Sequence, residues 1–156
     1  MNINDLLKLD QFTALNLEVT SEGDVLIHGE LHNTDKTCPR CGKAAQKPHQ
    51  YYEKRVRHLS MMDKPTYLVF ERKDWICSCG KVFLERVDFQ DLKRQYTTAY
   101  EEYIYRRCRS SSTSEVAEEE KLTWDIVAGI FKKNSHQKRK SANKGRRWEF
   151  SHAASG

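Results

Sequence analysis

Apolar residues are scarce in this sequence of 156 residues. Hydrophobic side chains make up 38% of the chain, charged side chains make up 31%, and the mean hydropathy is −0.82. A chain of this length has room for one ordinary domain or for a few very small ones, and this composition is poor for a single large core. We therefore expect small modules that are stabilised by something besides hydrophobic burial.

Long apolar runs are absent as well. No stretch of about 18 apolar residues occurs, so the sequence predicts no membrane-spanning helix and no membrane partner. Residues 1–10 contain neither the basic segment nor the apolar segment of a secretory signal peptide. The expected location is therefore cytoplasmic.

The net charge of +5 is made of blocks of opposite sign. Residues 1–37 carry seven acidic and two basic side chains, whereas residues 134–156 carry one acidic and six basic side chains. Such segregation favours a surface that faces a polyanion, for example a phosphate backbone. Ordinary charge scatter on a soluble protein is the alternative interpretation.

Four of the five cysteines form two close pairs, Cys38 with Cys41 and Cys77 with Cys79. In a reducing compartment such pairs hold metal more often than they form disulfides. Each pair is followed by a glycine, which tolerates positive φ and lets a tight turn aim backbone N–H groups at the thiolates. The four cysteines therefore predict a closed tetrahedral zinc site with a structural role.

Three alternatives to this site stay open. The thiols could be buried without a metal, or iron could replace zinc and make the protein an electron carrier. The spacing of Cys77 and Cys79 is one residue shorter than usual, so His49 or His58 could replace one cysteine ligand. Because four thiolates leave no open coordination position, no catalytic residue is predicted at the metal.

Strand patterns surround the cysteines. Residues 11–33 alternate apolar and polar side chains on both sides of a Ser-Glu-Gly-Asp turn, which predicts a β-hairpin. Short strands are predicted at 51–56, 67–70 and 82–84, between and after the cysteine pairs. Residues 1–90 therefore predict a β-hairpin followed by a zinc ribbon.

After residue 90 the apolar residues repeat with the period of a helix. A first helix is predicted to end near Arg107, and its apolar stripe consists of Leu92, Tyr96, Ala99, Tyr100, Tyr103 and Ile104. Ser112 and Glu115 form a capping box for a second helix that runs through about Glu120. Thr123 caps a third helix over residues 124–133. The predicted apolar face of this third helix consists of Trp124, Val127, Ala128 and Phe131.

Residues 91–133 thus have the layout of a helix-turn-helix unit. Its third helix would enter the major groove, which makes Thr123 and Asp125 candidate base contacts. Lys132 and Lys133 would lie on the DNA-backbone side. Further candidate DNA contacts flank the helix pair, and they are Arg106, Arg107, Arg109, Arg139 and Lys140. A plain helical hairpin is the alternative, since the segment contains three consecutive glutamates.

The last segment, residues 134–156, is basic, and residues 134–147 contain no acidic side chain and almost nothing apolar. Such a segment buries too little surface to order itself, so a disordered tail is predicted. The fold class is therefore α+β: an N-terminal hairpin and zinc ribbon, a three-helix DNA-binding unit, and a basic flexible tail.

The order of these motifs resembles the N-terminal part of transposases of the ISL3 family. The resemblance covers residues 1 to about 133 and is carried by Cys-Pro-Arg-Cys-Gly, Arg-Val-Arg-His-Leu at 55–59, Cys-Ser-Cys-Gly-Lys-Val-Phe, and Glu-Val-Ala at 115–117. It implies a zinc-binding domain and a helix-turn-helix that recognise the terminal inverted repeats of the element. By position, the four paired cysteines would be the zinc ligands and residues 115–133 the helix-turn-helix.

One departure from the family concerns catalysis. Family members continue into a ribonuclease-H-type domain with three metal-binding carboxylates, whereas the only acidic residue after Lys133 is Glu149. We therefore expect a truncated transposase that binds double-stranded DNA and is not an enzyme. It would act as an inhibitor that occupies transposon ends, with full-length transposase or a second copy as partner, or it would be a decaying remnant. A zinc-ribbon module for protein interaction or transcription regulation is the alternative function.

Overall fold

The computed structural model describes residues 2–91 and 94–154, and for residues 146–154 it describes the backbone alone. The chain divides into two compact units, residues 1–100 and residues 101–156. The α+β class is confirmed, because the first unit is mostly β-sheet and the second is helical. Whether residues 1–90, 91–133 and 134–156 are separate folding units stays a prediction.

The elements follow one another in a simple order. They are α1 (Ile3–Leu7), β1 (Phe12–Val19), β2 (Val25–Leu31), β3 (Lys47–Met61), β4 (Lys64–Ile76), β5 (Val82–Leu84), α2 (Thr98–Ser110), α3 (Thr113–Glu120) and α4 (Trp124–Ala154). The predicted N-terminal hairpin is confirmed, with β1 and β2 antiparallel and the Thr20 N–H donating to the Asp24 carbonyl across the turn at 2.8 Å.

Strand β4 is the centre of the five-stranded sheet. One edge of β4 pairs with β3 in antiparallel fashion over nearly its whole length. The other edge is shared: β2 runs parallel beside the first half of β4, and β5 runs antiparallel beside its last three residues. The hairpin of β1 and β2 and the ribbon of β3, β4 and β5 therefore belong to one sheet.

Strands β3 and β4 are much longer than the short strands that the sequence predicted. They contain 15 and 13 residues and are joined at Met62 and Asp63, whose φ angles of 51° and 61° suit the turn of a tight hairpin. The apolar pattern missed most of their length because buried positions are partly polar. Arg72, for example, is buried and donates to the Gln90 side chain at 2.9 Å and to the Glu85 carbonyl at 2.8 Å.

The main core of the first unit lies on one face of this sheet. Phe12, Phe70 and Phe89 meet edge to face at its centre, with ring centroids 5.9–6.4 Å apart. The other buried members of this core are Val25, Ile27, Val56, Leu68 and Val87.

Helix α2 begins later than predicted. The backbone of Arg57 on β3 pairs with that of Gln95 and Thr97, so residues 95–97 extend along the strand and cannot be helical. The Thr97 hydroxyl then accepts the Tyr100 N–H at 3.2 Å and caps the helix. Tyr96 therefore precedes α2, and Leu92 lies outside the described residues.

The basic tail is the largest correction to the sequence-based expectations. Helix α4 does not end near Lys133 but continues through Ala154. The prediction of a disordered tail is therefore wrong for residues 134–154. The physical reason is local: residues 134–154 contain no proline and a single glycine, and their Lys, Arg, Gln, Ala and Glu side chains have high helix propensity.

Candidate metal centre and nucleic-acid interface

The first cysteine pair lies in a tight turn before β3. The Cys38 N–H donates to the Lys43 carbonyl at 2.9 Å, and the Gly42 N–H donates to the Cys38 carbonyl at 3.0 Å. Gly42 has a φ of 75°, which most side chains disfavour. The Arg40 N–H points at the Cys38 sulfur at 3.4 Å. This turn holds both thiols on the same side of the backbone.

The second pair lies in the turn between β4 and β5. The Cys77 N–H donates to the Lys81 carbonyl at 2.9 Å, and Gly80 takes a φ of 90°. The Gly80 N–H donates to the Cys77 carbonyl, which closes the turn one residue earlier than in the first pair. The shorter spacing is therefore accommodated by a tighter turn.

The two turns bring all four sulfur atoms together. Every Sγ atom lies within 4.8 Å of the other three, with Cys41 and Cys77 at 3.3 Å and Cys38 and Cys79 at 3.7 Å. A tetrahedral zinc ion with Zn–S bonds of about 2.3 Å would set its sulfurs about 3.8 Å apart. The donor set thus fits a four-thiolate zinc ion without rearrangement of the backbone.

The surroundings of the sulfurs also suit a metal. The Cys79 N–H and then the neighbouring Cys41 side chain lower the pKa of Cys77 to about 6. A thiolate at neutral pH is the form that binds metal. At Cys41 the Lys43 N–H lowers the pKa, but contact with Cys77, burial and the other two thiols together outweigh it and raise the pKa of Cys41 to about 11. On the interior side the turns rest on a small apolar cluster of Cys38, Cys77, Ala45, Trp75 and Phe83.

Neither candidate histidine joins the sulfurs. His58 is buried on β3, and its Nδ1 lies 2.7 Å from the Thr97 hydroxyl. Burial lowers the pKa of His58 to about 4. His49 is exposed near the start of β3. Among the described residues, the group able to hold a metal consists of the four cysteines alone.

The second unit contains a helix pair with a short turn. Ser112 accepts the Glu115 N–H and the Glu115 carboxylate accepts the Ser112 N–H, both at 3.2 Å, so the predicted capping box is confirmed. Helix α3 ends at Glu120 and is capped by Lys121, whose φ of 56° is left-handed. The Thr123 hydroxyl accepts the Ile126 N–H at 3.3 Å and starts α4, as expected.

The packing face of α4 differs from the prediction. Val127 and Ile130 are buried, whereas Trp124 is 56% exposed. Ala128 and Phe131 are half-buried, and the Phe131 ring stacks on Tyr105 of α2 at 5.2 Å. On α3, Val116 and Ala117 are buried.

Most of the candidate DNA contacts are exposed. This is true of Thr123, Asp125, Lys132, Arg106, Arg109, Arg139 and Lys140. Two others already have partners: Lys133 Nζ donates to the Glu101 carboxylate at 2.9 Å, and Arg107 pairs with Glu119.

Sequence reasoning missed two exposed side chains on α4. Apolar spacing places Trp124 in the core, although its position directly after the capping Thr123 is a signal for exposure at a helix start. His136 falls in the predicted tail, and only the continuation of the helix shows that it lies one turn beyond Lys132 on the same face.

Two family models match the segments that hold these features. Residues 35–79, which include all four cysteines, match the zinc-finger of transposase IS204/IS1001/IS1096/IS1165. Residues 85–133 match the helix-turn-helix domain of transposase family ISL3. The chain belongs to the ISL3 transposase family. No curated protein and no solved structure matches it.

Membership of the ISL3 family identifies the cofactor and the class of partner. Zinc is the cofactor, since the zinc-finger match covers the four clustered cysteines. DNA is the class of partner, because the matched segments are the zinc-finger and helix-turn-helix parts of transposases. Neither match is to a catalytic domain. Among the described residues, no helix is both long and apolar enough to cross a membrane.

Proposed function

We propose that this ISL3 chain recognises the terminal inverted repeats of an insertion sequence as duplex DNA, in the cytoplasm, without catalysing strand transfer. The observation that carries the proposal is the helix pair of α3 and α4 in a segment that matches a transposase helix-turn-helix, in the same chain as a four-thiolate zinc site. A zinc ion bound there supplies a cross-link between two turns and no reactive group.

The start of α4 is the proposed reading end. Thr123 and Asp125 are exposed at the first turn of the second helix of the pair, the position from which such helices contact base edges in the major groove. Trp124 lies between them and offers an exposed ring for an apolar contact, for example with a thymine methyl group.

The cations supply the part of the affinity that depends on salt. Lys132, Arg106 and Arg109 are exposed and are proposed to contact phosphates. Lys133 and Arg107 are less suited to this role, because their charges face Glu101 and Glu119. Arg139 and Lys140 lie farther along α4 and are exposed as well.

The absence of catalysis is proposed from the matched segments. They are the zinc-finger and helix-turn-helix parts of transposases, and neither match is to a catalytic domain. A chain that occupies transposon ends without cutting them would inhibit a full-length transposase by competition. Mixed assembly with that transposase, or self-association, is the corresponding proposal for a protein partner.

The test is selection from a random duplex pool by the zinc-loaded protein, followed by affinity measurements across a salt series with and without chelator. We expect enrichment of one sequence, with affinity that falls when zinc is removed. Asp125→Asn should change the base preference, and Asp63→Asn on the β3–β4 turn is the matched control. Uniform binding that ignores chelator, or no binding at all, would contradict the proposal. The latter result would favour a protein-interaction or transcription-regulator module.

A further inference from the structure

Helix α4 is far longer than a helix that only reads bases. It contains 31 residues, which corresponds to a length of about 46 Å. Its first ten residues include the proposed reading end, and the remainder carries a strong excess of basic side chains. The two parts form one continuous helix without a proline. The positions of basic side chains beyond the reading end are therefore determined by the helix and not by a mobile tail.

Contacts with α2 determine which face of α4 points outward. Val127, Ile130 and Asn134 form the buried face. Lys133 pairs with Glu101 of α2 at 2.9 Å on one side of this face, and on the other side the Lys138 Nζ lies 3.0 Å from the Glu102 carboxylate. The same Nζ also lies 5.0 Å from the centre of the Tyr105 ring. These contacts hold the helix in a fixed rotation up to residue 138.

The opposite face forms what we call the α4 ridge: Lys132, His136 and Arg139. These residues are spaced at four and three positions, so they lie above one another along the helix. All three are exposed, and no described residue forms an ion pair with any of them. Upstream, the same face contains Asp125 and Gly129.

Gly129 leaves the backbone open on this face. A side-chain carbon added at Gly129 would meet no atom within 4 Å, so packing does not explain the glycine. In the middle of a helix a glycine also weakens the helix relative to alanine. The open backbone lets a neighbouring molecule approach α4 closely between the reading end and the ridge.

We propose that the α4 ridge is a rigid binding surface for the phosphodiester backbone of duplex DNA, next to the bases read by the start of the same helix. Lys132 and Arg139 are about 10 Å apart along the helix, the axial distance of about three phosphate-to-phosphate steps along one strand. The preformed helix spares the ordering entropy that a flexible tail would lose on binding. This inference rests on the proposed function, because it requires that the chain binds DNA.

The charge test is the double variant Lys132→Gln/Arg139→Gln. Each cation that no longer neutralises a phosphate should lower the slope of log affinity against log salt by about 0.9, so we expect a slope smaller by about 1.8 on B-form duplex. Lys138→Gln is the matched control on the same helix, since this lysine faces Glu102. For Lys138→Gln, the slope of log affinity against log salt should change by less than half of the value of about 0.9 expected for one phosphate contact.

The rigidity test is Gln137→Pro, which places a proline between His136 and Arg139. Proline removes a hydrogen bond of the helix and clashes with the carbonyl of Lys133, so Arg139 is displaced from the ridge. We expect the affinity and the salt slope to fall toward those of the double variant. Gln137→Gly, which only weakens the helix, should give an intermediate affinity, and Gln137→Ala should bind like the unchanged chain.

The outcomes separate the ridge from the proposed function. If the unchanged chain selects a DNA sequence but the double variant keeps its full salt slope, the ridge proposal and the phosphate contact of Lys132 are wrong, and the proposed recognition of DNA ends stands. If the double variant weakens binding but Gln137→Pro does not, the cations act from a flexible segment and the rigid surface is refuted. If the unchanged chain binds no DNA, the proposed function itself fails.

Discussion

At the scale of single residues, polar side chains join β3 to the start of α2. His58 is buried on β3, and its Nδ1 lies 2.7 Å from the Thr97 hydroxyl that caps α2. The same hydroxyl also accepts the Tyr100 N–H, so one threonine side chain joins the buried histidine to the first turn of α2. Burial lowers the pKa of His58 to about 4, which keeps the imidazole neutral at pH 7.

This buried histidine predicts a loss of stability in acid. In the unfolded chain His58 titrates near its usual pKa of about 6.5, so protons bind to the unfolded state first. The stabilisation is complete above about pH 6.5 and is lost as the pH falls toward 4, by about 3 kcal/mol in total. The measurement is the free energy of unfolding between pH 4.5 and 7.5, compared with His58→Gln.

The variant isolates this histidine from the metal site. Both proteins have the same four cysteines, so acid release of zinc cancels in the difference between them. As the pH falls, the unchanged protein should lose more unfolding free energy than His58→Gln does. Parallel pH profiles for the two proteins would contradict the assignment.

At the scale of elements, α4 is held to α2 by one buried and one exposed ion pair. The Glu101 carboxylate is almost fully buried and accepts from Lys133, whereas Glu102 and Lys138 are both more than one third exposed. Charge-assisted hydrogen bonds stabilise more when they are buried, because water screens exposed pairs.

Lys133→Ala should therefore destabilise the protein more than Lys138→Ala. We expect a loss of about 1.5–3 kcal/mol for Lys133→Ala, the range for a hydrogen bond to a charged group. For Lys138→Ala we expect about 1 kcal/mol or less, as for other surface pairs. Chemical denaturation followed by the helical circular dichroism signal measures both. Equal losses would show that burial of Glu101 does not matter.

At the scale of the whole molecule, stability is divided between apolar cores and a metal. The first unit contains a core of eight buried residues on one sheet face, and a second, smaller cluster contains two of the cysteines themselves. A site that binds zinc only in the folded chain adds stability that grows with the zinc concentration.

Removal of zinc should thus lower the melting temperature. At a free zinc concentration a thousand times the dissociation constant, zinc stabilises the folded chain by about 4 kcal/mol. For a unit of this size, that corresponds to a melting temperature higher by more than about 10 °C. Differential scanning calorimetry with zinc and with chelator measures the shift. Cys79→Ser should reproduce the effect of chelator, and His49→Ala should not. An unchanged melting temperature in chelator would exclude a structural metal.

Local patterns account for the features that are predicted correctly. The glycines after each cysteine pair, the capping box of Ser112 and Glu115, and the cap at Thr123 all act within a few residues. Such interactions are encoded by neighbouring residues and can be recognised without knowing the fold. The motifs that carry the family resemblance are of the same kind.

The predictions made from the sequence are wrong where residues far apart in the chain determine the local structure. Helix α2 starts at Thr98 because residues 95–97 pair with β3, nearly forty positions earlier in the chain. The length of β3 and β4 is hidden in the sequence because Arg57 and Arg72 are buried among polar partners or aromatic rings. Spacing alone places Trp124 in the core, although the buried face of α4 is formed by Val127 and Ile130.

The sequence by itself predicted a metal site at the paired cysteines, the helix pair and the excess of positive charge, because each depends on residue type and short spacing. The tertiary structure alone decided that β2 pairs in parallel with β4, that the four sulfurs meet without His49 or His58, and which face of α4 is exposed. These features depend on which surfaces pack together, and short-range patterns carry no information about that choice.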